Sequence, residues 1–173
     1  MLLWQAARQH AEELGRFFDP AKSHGLDGLT QLAQDKFEAT VLVAKLSQGI
    51  SGFIFKEEEE NPEIYINSSE PPVRQRFTLA HEIGHLVERT MVAGDYDFSF
   101  MDYRRPNPND YNLHEFFADE FAGALLMPEE PLMKIVNEIG EYAAADKFNV
   151  SVPAVRKRLV RIEKHKDHSA EAR

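Results

Sequence analysis

Apolar residues return every three or four positions at the start of the chain, at Leu3, Ala7, Ala11, Leu14 and Phe18. That step places them on one face of a helix over about 2–18, which Asp19-Pro20 brings to a stop. A second helical period, about 28–37, sets Leu29, Leu32, Ala33 and Phe37 on one side, with Asp27 placed to cap it. The pattern then shortens to three β-like runs, 40–46, 50–55 and 64–66. The first two flank Ser47-Gln48-Gly49, which reads as a hairpin turn. The third follows four consecutive glutamates at 57–60, a run that like-charge repulsion keeps solvated. Ser68-Ser69-Glu70-Pro71 has the hydroxyl caps, first-turn acid and proline of a helix start, and the helix is expected over about 71–90. Residues 94–112 show no helical period and carry Tyr96, Phe98, Phe100, Tyr103 and Tyr111, so they read as a long binding loop. Helical periods return over 113–126, 129–139, 141–148 and 151–163, and the end of the chain, about 165–173, reads as frayed.

These elements predict an α+β fold. A small antiparallel sheet of about three strands packs on a helical bundle, and the last helices have a helix-turn-helix-like spacing. No linker divides the 173 residues, so one domain is expected. Within it, 1–39 form N-terminal helices, 40–128 the core that holds the site, 129–163 a helical segment and 164–173 a tail.

Composition narrows the chemistry. Cysteine is absent, so any metal must be held by histidines and carboxylates. No apolar run approaches 18 residues, and Arg8, Glu12, Glu13 and Arg16 interrupt the N-terminal apolar positions. Neither a membrane span nor a signal peptide is expected, and the setting expected is cytoplasmic. The net charge of −9 argues against nucleic acid as a direct ligand, although six Lys/Arg cluster in 151–168.

His81-Glu82-Ile83-Gly84-His85 lies in the helix predicted for 71–90. Two histidines one turn apart share a helical face, so both imidazoles reach one metal ion, here zinc. Glu82 is then placed to act as general base on a water. Zinc at a catalytic site takes three protein ligands, and Glu115 is the best third. Asp119, one turn later on the same face, is placed to accept the free N–H of a ligand histidine, expected to be His81. The plainer readings are that Glu115 closes a capping box opened by Asn112 and that Asp119 is a solvated carboxylate. His114 competes as a ligand but points about 100° away from Glu115. Tyr103, Tyr111, His114 and an arginine of the Arg104-Arg105 pair are candidates by location for oxyanion or substrate contacts. His10, His24, His165 and His168 read as surface residues.

The stretch Arg74-Gln75-Arg76-Phe77-Thr78-Leu79-Ala80-His81-Glu82-Ile83-Gly84-His85-Leu86 resembles the signature of the ImmA/IrrE family of zinc metallo-endopeptidases. Glu115-x-x-Ala118-Asp119-x-Phe121-Ala122-x-x-Leu125-Leu126-Met127-Pro128 is similar to that family's second hallmark, and its Glu-x-x-x-Asp spacing also resembles gluzincins such as thermolysin. The similarity covers about 40–163. It implies His81, His85 and Glu115 as zinc ligands, Glu82 as general base, and a substrate strand laid along a sheet edge among 40–46, 50–55 and 64–66. It also implies a bacterial or phage source for the chain and a target, a helix-turn-helix repressor, often encoded beside the peptidase, whose cleavage derepresses stress or mobile-element genes. Asn149 stands where the family often has glycine.

Two other classes compete. Ala145, Asn149 and Val155 have helix-turn-helix spacing, with Arg156, Lys157 and Arg158 on the second helix, so 142–163 could touch DNA. The net negative charge favours the reading in which this unit packs under the site helices. The other competitor is a zinc-containing regulatory or toxin–antitoxin binding module with weak peptidase activity.

Overall fold

The structure is a computed structural model that describes residues 1–170, and the side-chain environments of residues 1–166. Seven helices and four strands follow in the order α1 (Leu3–Gly15), α2 (Asp27–Phe37), β1 (Thr40–Ala44), β2 (Ile50–Lys56), β3 (Glu63–Asn67), α3 (Pro72–Val87), β4 (Phe98–Tyr103), α4 (Leu113–Leu126), α5 (Glu129–Glu138), α6 (Glu141–Phe148) and α7 (Val152–Ala170). A π-helical turn, Glu88–Ala93, continues α3, and a 3-10 turn, Pro108–Asp110, precedes α4. No described helix is long and apolar enough to cross a membrane.

The fold is α+β as expected, but its sheet is mixed and has four strands, in the order β1-β3-β2-β4. β2 pairs antiparallel with β3 and with β4, while β1 runs parallel to β3, with Val41 opposite Ile64. The hairpin expected across Ser47-Gln48-Gly49 therefore does not form, because β3 lies between β1 and β2. Burial decides the order. Ile54, Ile64 and Ile66 are wholly buried, whereas four of the five residues of β1 are exposed, so β2 and β3 take the centre and β1 an edge. The fourth strand comes from the stretch read as a loop. Phe98, Phe100 and Asp102 turn inward while Ser99, Met101 and Tyr103 turn outward, which is the alternation of a half-buried strand.

α3 is the central element, buried continuously from Thr78 to Val87 between the sheet and α4. Two glycines allow this. A Cβ on Gly52 of β2 would lie 2.7 Å from Thr78 Cγ2, and one on Gly84 would lie 2.8 Å from Ala118 Cα, so both approaches need a bare backbone. Arg76 fastens α3 to the α1–α2 connection. Its buried guanidinium donates to the carbonyls of Pro20 at 3.0 Å and Gly25 at 3.2 Å, and to that of Ser23.

Several local expectations differ. Ser68 and Ser69 do not cap α3, whose N-cap is Pro71; Asn67 Oδ1 instead accepts from the Ser69 and Leu46 amides. Asp27 begins α2 without a side-chain cap bond. α7 continues to Ala170, so 165–170 are helical rather than frayed, while 171–173 and the His168 side chain lie outside the described residues. His165 is buried, not a surface residue, and stacks on Trp4 with 4.4 Å between ring centroids. Asn149 adopts the left-handed conformation (φ 49°) that ends α6, the role glycine fills elsewhere.

Candidate metal centre

α3 brings His81 and His85 to one face, and α4 brings Glu115 across to meet them. Asn112 starts α4, its Oδ1 accepting from the amides of His114 and Glu115. Glu115 thus begins the helix without closing the capping box with its side chain, which reaches the histidines instead. His81 Nε2 lies 3.3 Å from Glu115 Oε2, His85 Nε2 lies 3.2 Å from Glu115 Oε1, and the two Nε2 atoms are 3.1 Å apart. A tetrahedral ion with bonds of about 2.0–2.2 Å sets its ligand atoms about 3.3–3.6 Å apart. Two imidazoles and a carboxylate are a donor set that suits zinc, their spacing at or just under that range, and they leave a fourth position for water or substrate.

The supports of the two rings differ. His81 Nδ1 is 3.1 Å from Asp119 Oδ1, and a carboxylate only accepts, so Nδ1 carries the proton and Nε2 faces the triad. His85 is held by a flat stack on Phe100 of β4, with centroids 4.1 Å apart and rings 2° from parallel. Asp119 is itself crowded by two cations and a hydroxyl: its Oδ2 accepts from Lys157 Nζ at 2.9 Å, Arg161 Nη2 at 3.3 Å and the Tyr111 hydroxyl at 3.3 Å.

Charge follows this arrangement. Burial opposes a charge on His81, but the hydrogen bonds to Asp119 and Glu115 outweigh it and hold the imidazole well above its usual 6.5. Burial dominates at His85 and pulls it down to about 4. Burial pushes Glu115 upward, yet the two histidines bring it down to about 2. Negative charge on Glu115 and a raised proton affinity at His81 mark the space between them as one that favours positive charge, which a divalent cation held by His81, His85 and Glu115 would supply.

Glu82, next to His81 in the chain, is not one of the three donors but feels the charges of His81 and Glu115. Its carboxylate is wholly buried, and neither oxygen has a hydrogen-bond partner among the described residues. Burial lifts it well above the usual 4.5; the His81 charge pulls it back, and Asp102 and Glu115 push it further up.

Among the other residues expected here, Tyr111 stands behind Asp119, its oxygen also accepting from Arg161 at 2.8 Å. His114 turns to Glu88, with Nδ1 3.1 Å from Oε2, and does not join the three donors. Tyr103 ends β4 on its outward side, half exposed, and Arg104 and Arg105 are exposed beyond it. Sequence reasoning missed Phe100, Asp102 and Glu88. Asp102 is bound to Arg74 at 3.0 Å, and burial raises it against the pull of His81 and Arg74. The signal for Phe100 was its alternation with Phe98 across Ser99; nothing in the sequence marked Asp102, or Glu88, which enters through the π turn.

Residues 34–160 match the model of the IrrE N-terminal-like domain, a peptidase family. The chain belongs to that family. It is 37% identical over 82 residues to the radiation response metalloprotease IrrE of Deinococcus radiodurans, spanning 47% of this chain and 24% of that protein. Its identity to the IrrE metalloprotease of Deinococcus deserti is 32% over 119 residues, spanning 68% of this chain and 36% of that protein. The chain thus spans about a quarter to a third of the curated relatives it matches. A Mycobacterium tuberculosis transcriptional regulator has the same fold, with a TM-score of 0.60 at 19% identity over 91% of this chain and 46% of that one. Both IrrE relatives are named metalloproteases, and His81, His85 and Glu115 of this chain form a group that could hold a metal ion.

Four cations of α7 are engaged within the fold. Arg158 and Arg161 pair with Glu120 at 2.8 and 3.2 Å, Lys157 with Asp119 at 2.9 Å, and Arg156 with Glu141 at 2.6 Å. Side chains committed in this way offer little to a phosphate backbone, which supports packing over DNA contact.

Proposed function

We propose that the chain is a zinc-dependent endopeptidase in which His81, His85 and Glu115 hold the metal and Glu82 is the general base. Zinc bound there would polarise the scissile carbonyl and acidify the attacking water. The observation that carries this reading is the Glu82 carboxylate, buried and unpartnered beside three converging donors. Such a group takes the proton of the water and returns it to the leaving amine, and its raised affinity for protons suits both steps. Asp119 keeps His81 Nε2 turned inward throughout, and the Phe100 stack keeps His85 in place.

The substrate strand lies along β4 in this reading rather than along 40–46, 50–55 or 64–66. β4 is an edge of the sheet, and Phe100 places it against His85. A peptide added to the free edge passes the triad extended, with its main chain hydrogen-bonded to β4.

The proposed substrate is a cytoplasmic helix-turn-helix repressor whose cleavage derepresses stress or mobile-element genes. The radiation-response name of the Deinococcus relatives supports the first of these. Incubating the zinc-loaded chain with such a repressor encoded beside it should yield fragments. Glu82→Gln should retain zinc and lose cleavage; equal cleavage by both proteins would sink the mechanism.

A further inference from the structure

Beside the triad, on the other side of Asp119, lies a cavity of about 420 Å³, within the ~300–1,000 Å³ common for ligand pockets. Val73 and Phe77 of α3, Met127 after α4, and Pro153 and Ala154 of α7 make its walls largely apolar. Its mouth is cationic. Arg74, Arg104, Lys157, Arg158 and Arg161 line it against only two carboxylates, Asp119 and Glu120. Four of these cations are engaged: Arg74 by Asp102, Lys157 by Asp119, Arg158 by Glu120 and Arg161 by both α4 carboxylates. Arg104 is exposed and makes no ion pair among the described residues.

The cavity joins the path of a strand laid on β4. The Arg104 amide donates to Gly49 O at 2.9 Å, so the pairing of β4 with the β2 side extends one residue beyond the strand. From Phe100, opposite His85, to Arg104 is four residues, or about 13 Å of extended chain. A peptide that passes the triad therefore reaches the cavity mouth within about four residues.

We propose that this cavity is a specificity pocket for a substrate peptide with an apolar side chain next to an acidic one. The apolar side chain fills the space between Phe77 and Ala154, and the carboxylate lies on Arg104. The proposal rests on the peptidase reading for its occupant. Charge supports the choice: a chain of net charge −9 repels an acidic peptide overall, whereas this mouth attracts one.

The test uses fluorescein-labelled octapeptides carrying Leu-Asp or Leu-Lys, titrated into the zinc-loaded Glu82→Gln chain. The Leu-Asp peptide should bind about tenfold tighter, and Arg104→Glu should reverse the order. Ala154→Trp, which fills the pocket, should weaken both peptides but not a Gly-Asp control. An unchanged charge preference in Arg104→Glu, unchanged binding in Ala154→Trp, or no binding of any peptide overturns the proposal. Cleavage by the zinc-loaded chain with Glu82 intact separates the two readings. Arg104-dependent binding without cleavage leaves the pocket standing and removes the peptidase reading. Cleavage whose sequence profile ignores Arg104→Glu removes the pocket alone.

Discussion

Glu120 offers the sharpest test of what holds the helices around the site. Its carboxylate is fully buried and receives Arg8 Nε at 2.6 Å, Arg158 Nη1 at 2.8 Å and Arg161 Nη1 at 3.2 Å, joining α1 and α7 to α4. Glu120→Gln keeps the shape and removes the charge. Oε1, which now serves two arginines, can still accept, but the amide nitrogen then faces Arg161 donor to donor. Each charge-assisted bond falls toward a neutral one, a loss of about 1–1.5 kcal/mol. Arg158, 3% exposed, is left without an opposite charge. Arg161 keeps Asp119 and Arg8 keeps some access to water, so the sum comes to about 3–4 kcal/mol, within the ~3–5 kcal/mol typical of a broken buried pair. Urea unfolding of the chelator-treated chain, read by the fluorescence of its single tryptophan, Trp4, measures this without metal linkage. A loss below about 1 kcal/mol would refute the argument. Glu120→Leu combined with Arg158→Met should be more stable than Glu120→Leu alone, since it removes the stranded charge. The arginines also depress the Glu120 carboxyl against the pull of burial, so its stabilisation is full above 4.5 and is lost as pH falls through the lower folded value. Glu120→Gln should lack that part of the acid slope.

Three further outcomes are expected. Asp119→Asn removes the charge that holds His81 Nδ1–H, and zinc affinity measured by chelator competition should fall about 10–100-fold; an unchanged affinity removes Asp119 from the site. Glu115→Ala should dialyse free of zinc, and metal analysis showing full retention would move the third ligand to another group. Gly84→Ala puts a Cβ 2.8 Å from Ala118 Cα and so wedges α3 from α4. The cost should be about 1–3 kcal/mol in thermal unfolding, together with weaker zinc binding; a wild-type melting temperature contradicts the close approach.

The histidine pair was legible because one helical turn sets a common face whatever surrounds it. Glu115 and Asp119 were legible for the same reason once Asn112 marked where their helix begins. Strand order was not legible. A short turn favours a hairpin, yet β3, with Ile64 and Ile66 wholly buried, claims the place beside β2 and displaces β1 to the edge. β4 was hidden by Asp102, a charge at an inward position that breaks the apolar alternation. Only the fold brings Arg74 to neutralise it. The basic residues of α7 looked available to phosphate because their partners, Asp119 and Glu120, lie 38 residues before Lys157 and Arg158. His165 looked solvated because its stacking partner, Trp4, is at the other end of the chain.

α4 distributes its carboxylates between two tasks, and the helical repeat explains the division. Glu115 and Asp119 are one turn apart and face α3, where one meets both histidines and the other orients His81. Glu120, about 100° further round, faces α1 and α7. Arg161 spans the two faces, with Nη2 on Asp119 and Nη1 on Glu120. The charge network that holds the helices together therefore ends on the carboxylate that holds His81 Nδ1. In Glu120→Gln, Arg161 loses one anchor and leans more fully on Asp119, drawing negative charge away from His81. Zinc affinity should then fall, but by less than in Asp119→Asn, because Asp119 Oδ1 still holds the ring. An affinity equal to that of the unaltered chain would show that Arg161 ties the helices together without influencing the metal.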